Sequence, residues 1–267
     1  MDLPEVDHGS DPAALLARDR RRFRRAGLIS AAFVALLWWI HLAQHLFEAP
    51  LRALTLRPGD AWGLVGVITA PLLHGGFGHL VSNSLPLLIL GTLAIATLPR
   101  ATPRGLVLIW LLAGIGTWLI GRPSNHLGAS GITHGLMLFV FVAGVLRRDR
   151  PAIAAALIAF FLYGGMLLTV FPREEGVSWE YHLSGAVAGL LAALLWFRLD
   201  PPPPRKRYSW EDEAEQDPPG DSELELPSPA EVPVLWKREE AGTTPTSEDK
   251  VIRFPLERRS EQTGKFH

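Results

Sequence analysis

The sequence lacks cysteine altogether, so neither disulfide bonds nor thiolate metal sites are open to its 267 residues. Acidic residues are missing from three long stretches, 61–148, 150–173 and 181–199. Charged residues nevertheless make up 20% of the chain and hydrophobic residues 48%. Charge and apolar side chains are therefore segregated along the sequence, and the net charge of −1 says little about partners.

Six apolar segments occupy most of the acid-poor region. Each is about 17–21 residues long, and at about 1.5 Å per residue it reaches across, or nearly across, a hydrocarbon core of about 30 Å. Because a helix satisfies its own backbone hydrogen bonds in lipid, the segments predict an all-α, six-transmembrane-helix protein with a membrane domain over 28–199. The segments are 28–47, 80–98, 105–121, 130–146, 151–171 and 181–197.

Basic residues lie mostly on one side of these segments. Fifteen arginines and lysines precede the first segment, separate the second from the third and the fourth from the fifth, or follow the sixth, whereas four lie on the opposite side. The positive-inside rule then predicts that both termini are cytoplasmic. We expect a basic cytoplasmic segment over 1–27 and a bacterial plasma-membrane location.

The C-terminal part has a different composition. Residues 209–233 contain nine acidic residues and no lysine or arginine. A segment of this kind cannot bury enough apolar surface to fold, so 200–267 is predicted to be a disordered cytoplasmic tail.

Three polar residues stand at one predicted depth in the membrane. Asn83, Ser130 and His182 lie 16 or 17 residues from the arginine that ends their segment on the cytoplasmic side. In straight helices this spacing places each of them about 24–26 Å above that boundary. His79 lies one turn from Asn83 on the same helix face. Because polar residues are costly in lipid, a matched set on three helices indicates a functional site.

The residue types in this set are those of a hydrolase. A serine becomes a nucleophile when a neighbouring base takes its proton, and histidine is the usual base near neutral pH. We therefore predict that Ser130 is the nucleophile and His182 the base. The oxyanion would be bound by His79, Asn83 and the Ser130 backbone N–H.

No carboxylate lies within the segments to orient the histidine, so a Ser–His dyad is expected rather than a triad. Glu174, Glu175 and Glu180 are loop residues and weaker candidates for a third member. His74 lies near the outer boundary and is expected to have a structural, supporting role. The fifth segment carries no catalytic candidate and is the expected gate for a substrate helix.

Glycines flank the predicted nucleophile and base. Gly185 and Gly189 form a G-x-x-x-G motif beside the histidine, and this motif permits close backbone contact between helices. Gly128 permits an unusual backbone turn before the serine, and Gly131 follows it. These four glycines are therefore predicted to support the site.

Three motifs, taken in order, resemble those of the rhomboid family of intramembrane serine proteases. Residues 128–131 (Gly-Ala-Ser-Gly) are similar to its G-x-S-G motif, residues 74–83 to its second-helix signature with H-x-x-x-N, and residues 182–189 to its H-x-x-G-x-x-x-G. The resemblance covers about 28–199. It implies cleavage of other proteins' transmembrane segments near the extracytoplasmic side, oxyanion donors at His79, Asn83 and the Ser130 amide, and no cofactor.

Two positions differ from the pattern of this family. His134 stands four residues after the serine, where rhomboids often carry an aromatic residue packed on the histidine. Gly63 follows Trp62, where the family usually has an arginine. Neither difference removes a predicted catalytic group.

Two other functions are compatible with parts of the pattern. A catalytically silent rhomboid-like membrane chaperone or scaffold would share the fold, although such relatives usually lose the serine or the histidine. A transporter would show charged or broken helices near the midplane, which these segments lack.

The partners expected from the sequence are the lipid bilayer and membrane-protein substrates with transmembrane segments, and no nucleic acid. A metal site is not expected, because no carboxylate or cysteine accompanies the remaining histidines. Those histidines, His41, His45 and His126, are predicted to lie at the outer ends of spans as solvated tips.

Overall fold

The computed structural model describes residues 12–47, 51–172 and 176–202. In these ranges the regular structure is helical, apart from one antiparallel backbone bridge between Leu56 and His126, so the predicted all-α fold is confirmed. The remaining residues, including nearly all of the predicted tail, lie outside the described ranges. The α-helices are α1 Pro12–Leu46, α2 Gly66–Thr69, α3 Phe77–Thr97, α4 Ala101–Ile120, α5 Ser130–Arg147, α6 Arg150–Tyr163 and α7 Trp179–Trp196.

Short 3₁₀-helices complete the architecture. Three of them, Leu51–Leu54, Ala61–Val65 and Ala70–Leu72, form with α2 the loop between α1 and α3. A fourth, Gly164–Val170, continues α6 without a break. This last segment is the end of the fifth predicted span.

Five helices in the described part are long and apolar enough to cross a membrane: α1, α3, α4, α5, and α6 with its 3₁₀ extension. The sixth predicted segment corresponds to α7, which has 18 residues and packs against α4 and α5. Its first turn holds Glu180, Tyr181 and His182. These polar side chains reduce its apolar character, so length and composition identify five spans where the sequence pattern predicts six.

Helix α1 begins well before the predicted segment 28–47. It has 35 residues, or about 52 Å at 1.5 Å per residue, which exceeds the thickness of a hydrocarbon core. The additional turns carry the arginines of 18–25, whose side chains are exposed. Alanine, leucine and arginine all favour helix, so the basic segment continues the helix from Pro12 onward.

Helix α5 is the centre of the bundle. It contacts α3, α4, α6 and α7. Of its apolar span, 61% is buried inside the protein, compared with 22% for α6 with its extension. Ile132, Met137 and Phe139 lie in the main hydrophobic cluster. Helices α3, α4, α6 and α7 are therefore packed around α5.

Helices α5 and α7 meet backbone to backbone. A Cβ on Gly185 would overlap the carbonyl oxygen of Gly131, and a Cβ on Gly189 would overlap that of Gly135. The close approach predicted from the G-x-x-x-G motif is confirmed at these pairs. Because no side chain at the contact could move aside, α7 has a fixed register on α5.

At the opposite end of the bundle, Asp200 joins three helices. Its carboxylate accepts hydrogen bonds from the backbone N–H groups of Arg100 and Ala101, at 2.9 and 3.0 Å, where α4 begins. Arg147, at the end of α5, donates to the Asp200 carbonyl oxygen at 2.8 Å and pairs with Asp149. Asp200, the first residue of the predicted tail, is therefore buried in the folded part.

Candidate active site

Ser130 is the first residue of α5. Gly128 precedes it with φ of 111°, in the left-handed region that favours glycine, and this turn directs the chain into the helix. The Ser130 N–H belongs to the first helical turn, where the helix itself supplies no acceptor. It is therefore a donor that a bound group could use.

The hydrogen bonds that Ser130 makes to side chains involve its backbone carbonyl oxygen. That oxygen accepts from Thr133 Oγ1 at 2.8 Å and lies 2.7 Å from His134 Nδ1. Among the described residues, none forms a hydrogen bond with the Ser130 hydroxyl. Ser130 is half-buried, and its hydroxyl is unengaged in this part of the structure.

His79 and Asn83 lie one turn apart on α3. A Cβ at Gly128 would overlap the His79 ring, so this ring lies against the turn before the serine. The Asn83 side-chain nitrogen donates to the His79 carbonyl oxygen at 2.9 Å. The structure thus brings His79 to the serine loop, whereas the amide nitrogen of Asn83 bonds within its own helix.

His182 is in the first turn of α7, which begins after the N-cap residue Ser178. The contact between Gly131 and Gly185 lies one residue after Ser130 and three residues after His182. The predicted nucleophile and base therefore both lie just before the first of the two glycine contacts between α5 and α7. In the described ranges no hydrogen bond joins their side chains.

Thr169, in the 3₁₀ extension of α6, holds the His182 ring. His182 Nδ1 lies 2.9 Å from Thr169 Oγ1 and 3.1 Å from the Thr169 carbonyl oxygen. Thr169 Oγ1 also lies 2.7 Å from the Met166 carbonyl oxygen and 3.0 Å from His134 Nε2. One threonine therefore links the predicted base to a second histidine.

His134 stacks on His182. The ring centroids are 4.0 Å apart and the ring planes differ by 12°. The His134 nitrogens are engaged at both ends of the ring, Nδ1 with the Ser130 carbonyl oxygen and Nε2 with the Met166 carbonyl oxygen and Thr169. His134 thus occupies the place of a packed aromatic ring and adds polar contacts that an aromatic hydrocarbon ring lacks.

Glu180 does not contact His182 through a hydrogen bond. Its carboxylate is fully buried and accepts from Arg122 Nε at 2.7 Å and from the Arg122 backbone N–H at 3.1 Å. The hydrogen bond to this carboxylate raises the pKa of the Arg122 guanidinium. Glu180 therefore ties the loop before α5 to the start of α7. Glu174 and Glu175, the other candidates for a third member, lie outside the described residues.

His74, and two of the histidines predicted to be solvated tips, are buried outside the stacked pair. His74 is 2% exposed and its ring lies 5.2 Å from that of His79. Burial first, and then the nearby His79 and His41, lower the pKa of His74 to about 4, so it is neutral at physiological pH. His41 and His126 are buried, so the prediction of solvated tips is wrong for both. His126 instead bonds Ser178 and thereby links the loop before α5 to the α7 cap.

The loop between α1 and α3 shows why glycine follows Trp62. A Cβ on Gly63 would overlap the backbone of Arg57, so this turn has no room for a larger residue. Asp60 accepts from the Trp62 N–H at 2.9 Å, and its carbonyl oxygen accepts from Trp118 Nε1 at 2.9 Å. The loop is therefore anchored by Asp60 and by the Leu56–His126 bridge, while the Trp62 side chain is exposed.

Thr169 is the site residue that sequence reasoning missed. A threonine in an apolar span can bond a carbonyl oxygen of its own segment, as Thr92 does with Leu88 at 2.6 Å and Thr169 with Met166 at 2.7 Å. The residue type alone therefore did not indicate the further contacts of Thr169 with the two histidines. A sequence signal did exist, because Gly164 and Gly165 interrupt the fifth apolar segment just before it. Where the α-helix ends at these glycines, polar groups that follow, such as the Thr169 side chain, can face neighbouring helices.

Comparisons with known proteins agree with this architecture. The Rhomboid domain family matches residues 59–199. An uncharacterized protein of Mycobacterium tuberculosis is 43% identical over 186 residues, which cover 66% of this chain and 77% of that protein. Rhomboid-like protein 11, chloroplastic, of Arabidopsis thaliana is 30% identical over 59% of this chain and 60% of its own. Rhomboid-related protein 2 of Mus musculus is 29% identical over 57% and 53%.

Proposed function

The chain belongs to the rhomboid family of multi-pass integral membrane proteins, and we propose that it is an intramembrane serine protease with a Ser–His dyad. Ser130 is the nucleophile and His182 the general base in this proposal. His79 and the Ser130 N–H bind the oxyanion, together with Asn83 once its amide turns from its own helix. The substrates are transmembrane segments of other membrane proteins, and both termini of the enzyme are cytoplasmic.

One observation carries the proposal: the His182 ring is held at Nδ1 by both oxygens of Thr169, while its Nε2 makes no hydrogen bond in the described part. A base needs one nitrogen fixed and the other available to the nucleophile. The Gly131–Gly185 contact supports the same reading, because it sets the helix of the serine against the helix of the histidine.

The hydrolytic step follows from these groups. The substrate carbonyl carbon is attacked by Ser130 Oγ as its proton moves to His182 Nε2, and the oxyanion forms beside His79 and the Ser130 N–H. His182 then protonates the leaving amine, and water repeats the sequence on the acyl-enzyme. The resting hydroxyl is unbonded to His182, and catalytic hydrogen bonds of this kind often tighten only with substrate bound.

The second candidate function is a catalytically silent membrane chaperone or scaffold. The observation that favours it is the same missing hydrogen bond between Ser130 and His182. The two functions differ in whether the serine reacts, so a single covalent probe separates them.

The test is fluorophosphonate labelling of purified protein in detergent, with Ser130→Ala and His182→Ala as comparisons. We expect label on the wild type at Ser130 and none on either variant, with unchanged thermal unfolding. An unlabelled wild type that also fails to cleave a transmembrane substrate in proteoliposomes would contradict the protease function and favour the scaffold. Retained cleavage in either variant would contradict the dyad.

A further inference from the structure

Thr169 lies in a span to which the sequence assigned no part in the chemistry, and yet both of its oxygens contact the predicted base. We propose that Thr169 is the positioning residue of His182: it selects the Nδ1–H tautomer and leaves the Nε2 lone pair for the nucleophile. This inference rests on the proposed function for its consequence in catalysis, but the tautomer itself is independent of activity.

The hydrogen count at Thr169 decides the direction of each bond. A carbonyl oxygen only accepts, so the Thr169 carbonyl oxygen at 3.1 Å favours a hydrogen on His182 Nδ1. The Thr169 hydroxyl has one hydrogen and three neighbours within 3.0 Å: His182 Nδ1, His134 Nε2 and the Met166 carbonyl oxygen. Where that hydrogen goes determines what the hydroxyl offers to His182.

One destination for this hydrogen satisfies the nearby oxygens. The Met166 carbonyl oxygen at 2.7 Å can only accept, so the Thr169 hydroxyl donates to it and presents a lone pair to His182. If the hydroxyl donated to His182 Nδ1 instead, the Thr169 carbonyl oxygen would lose its donor on that ring. With the hydroxyl hydrogen on Met166, His182 Nδ1 faces two acceptors and carries the hydrogen.

The arrangement replaces the carboxylate of a catalytic triad by two neutral oxygens of one residue. A carboxylate would orient the ring and stabilise its cation, at the cost of placing a full charge in the membrane. Hydroxyl and carbonyl oxygens orient the ring in the same way with no net charge. The Thr169 side chain does not touch the reacting atoms, so its effect is on the rate of the chemical step and not on substrate affinity.

The experiment compares Thr169→Val, Thr169→Ser and Thr92→Val with the wild type. Valine keeps the shape and the backbone carbonyl but removes the hydroxyl; serine keeps the hydroxyl. Thr92→Val is the matched control, because its hydroxyl bonds only the Leu88 carbonyl oxygen in the described structure. For Thr169→Val we expect kcat to fall about five- to tenfold with KM unchanged, and for the other two variants wild-type kinetics.

The second readout is ¹⁵N NMR of histidine-labelled protein in micelles, with the His182 signals assigned by their loss in His182→Ala. The wild type and Thr169→Ser should show a protonated Nδ1 and an unprotonated Nε2. Thr169→Val, which keeps only the carbonyl oxygen as an acceptor for Nδ1, should show a smaller share of this tautomer. The proposal is overturned if Thr169→Val keeps both the wild-type kcat and tautomer, or if kcat and KM change while the tautomer does not. An inactive wild type with the expected tautomer would refute the proposed function and leave the positioning role intact.

Discussion

Helix α5 is packed against two neighbours, α7 and α6, in different ways. Against α7 the contact is made by two glycine pairs near the outer end, Gly131 with Gly185 and Gly135 with Gly189. Against α6 the comparable contact is at the other end, where a Cβ on Gly144 would overlap the Ala152 backbone. The 3₁₀ extension of α6, in contrast, has no buried residue.

The difference assigns separate tasks to the two neighbours. The proposed base is carried by α7, which has no freedom to shift along α5, whereas the proposed orienting group is carried by an extension of α6 that has no buried residue. His182 is thus fixed in position by backbone contact and in orientation by hydrogen bonds to that extension.

The largest effect is expected from filling the α5–α7 contact. Gly185→Ala adds a Cβ that overlaps the Gly131 carbonyl oxygen, and two backbones must separate to accept it. We expect a loss of about 2 kcal/mol or more in stability and a loss of cleavage, measured by thermal unfolding and substrate hydrolysis. The control is Gly165→Ala in the extension of α6, where a Cβ meets no atom within 4 Å. Equal losses of stability and cleavage in Gly185→Ala and Gly165→Ala would show that α7 and the extension of α6 tolerate an added Cβ equally well.

A smaller effect is expected from the ion pair that ties α7 to the loop before α5. Glu180→Gln removes the buried charge that faces Arg122, so the melting temperature should fall by several degrees. Labelling of Ser130 in the folded fraction should persist, because Glu180 does not bond the His182 ring. Loss of labelling at an unchanged melting temperature would instead place Glu180 in the catalytic machinery.

The smallest effect is expected at the stacked histidine. His134→Phe keeps a flat ring on His182 but cannot donate to the Ser130 carbonyl oxygen or bond Thr169. We expect hydrolysis to slow about two- to fivefold, whereas His134→Ala, which also removes the stacked surface, should slow it further. The rate of substrate cleavage in proteoliposomes is the measurement. A faster His134→Phe enzyme would mean that the polar contacts of His134 restrain the base instead of supporting it.

Much of the fold could be predicted from the pattern of apolar segments, because a bilayer sets helix length and leaves few alternatives. Five segments correspond to helices that could span a membrane, and the sixth to α7. The extension of α1 to Pro12 was missed, since composition alone does not show where a basic segment stops being helical. Asp200 was assigned to the tail, because the sequence does not show that its carboxylate caps α4 from a hundred residues away along the chain.

The sequence by itself determined the helices, the glycine spacing that lets α7 approach α5, and the polar residues that are predicted to stand at one depth. These follow from local chemistry and from the cost of polar groups in lipid. Only the tertiary structure decided the partners on other elements: Arg122 for Glu180 and Thr169 for His182. A hydrogen bond between residues on different helices depends on the rotation and register of both, and no spacing within one segment specifies either.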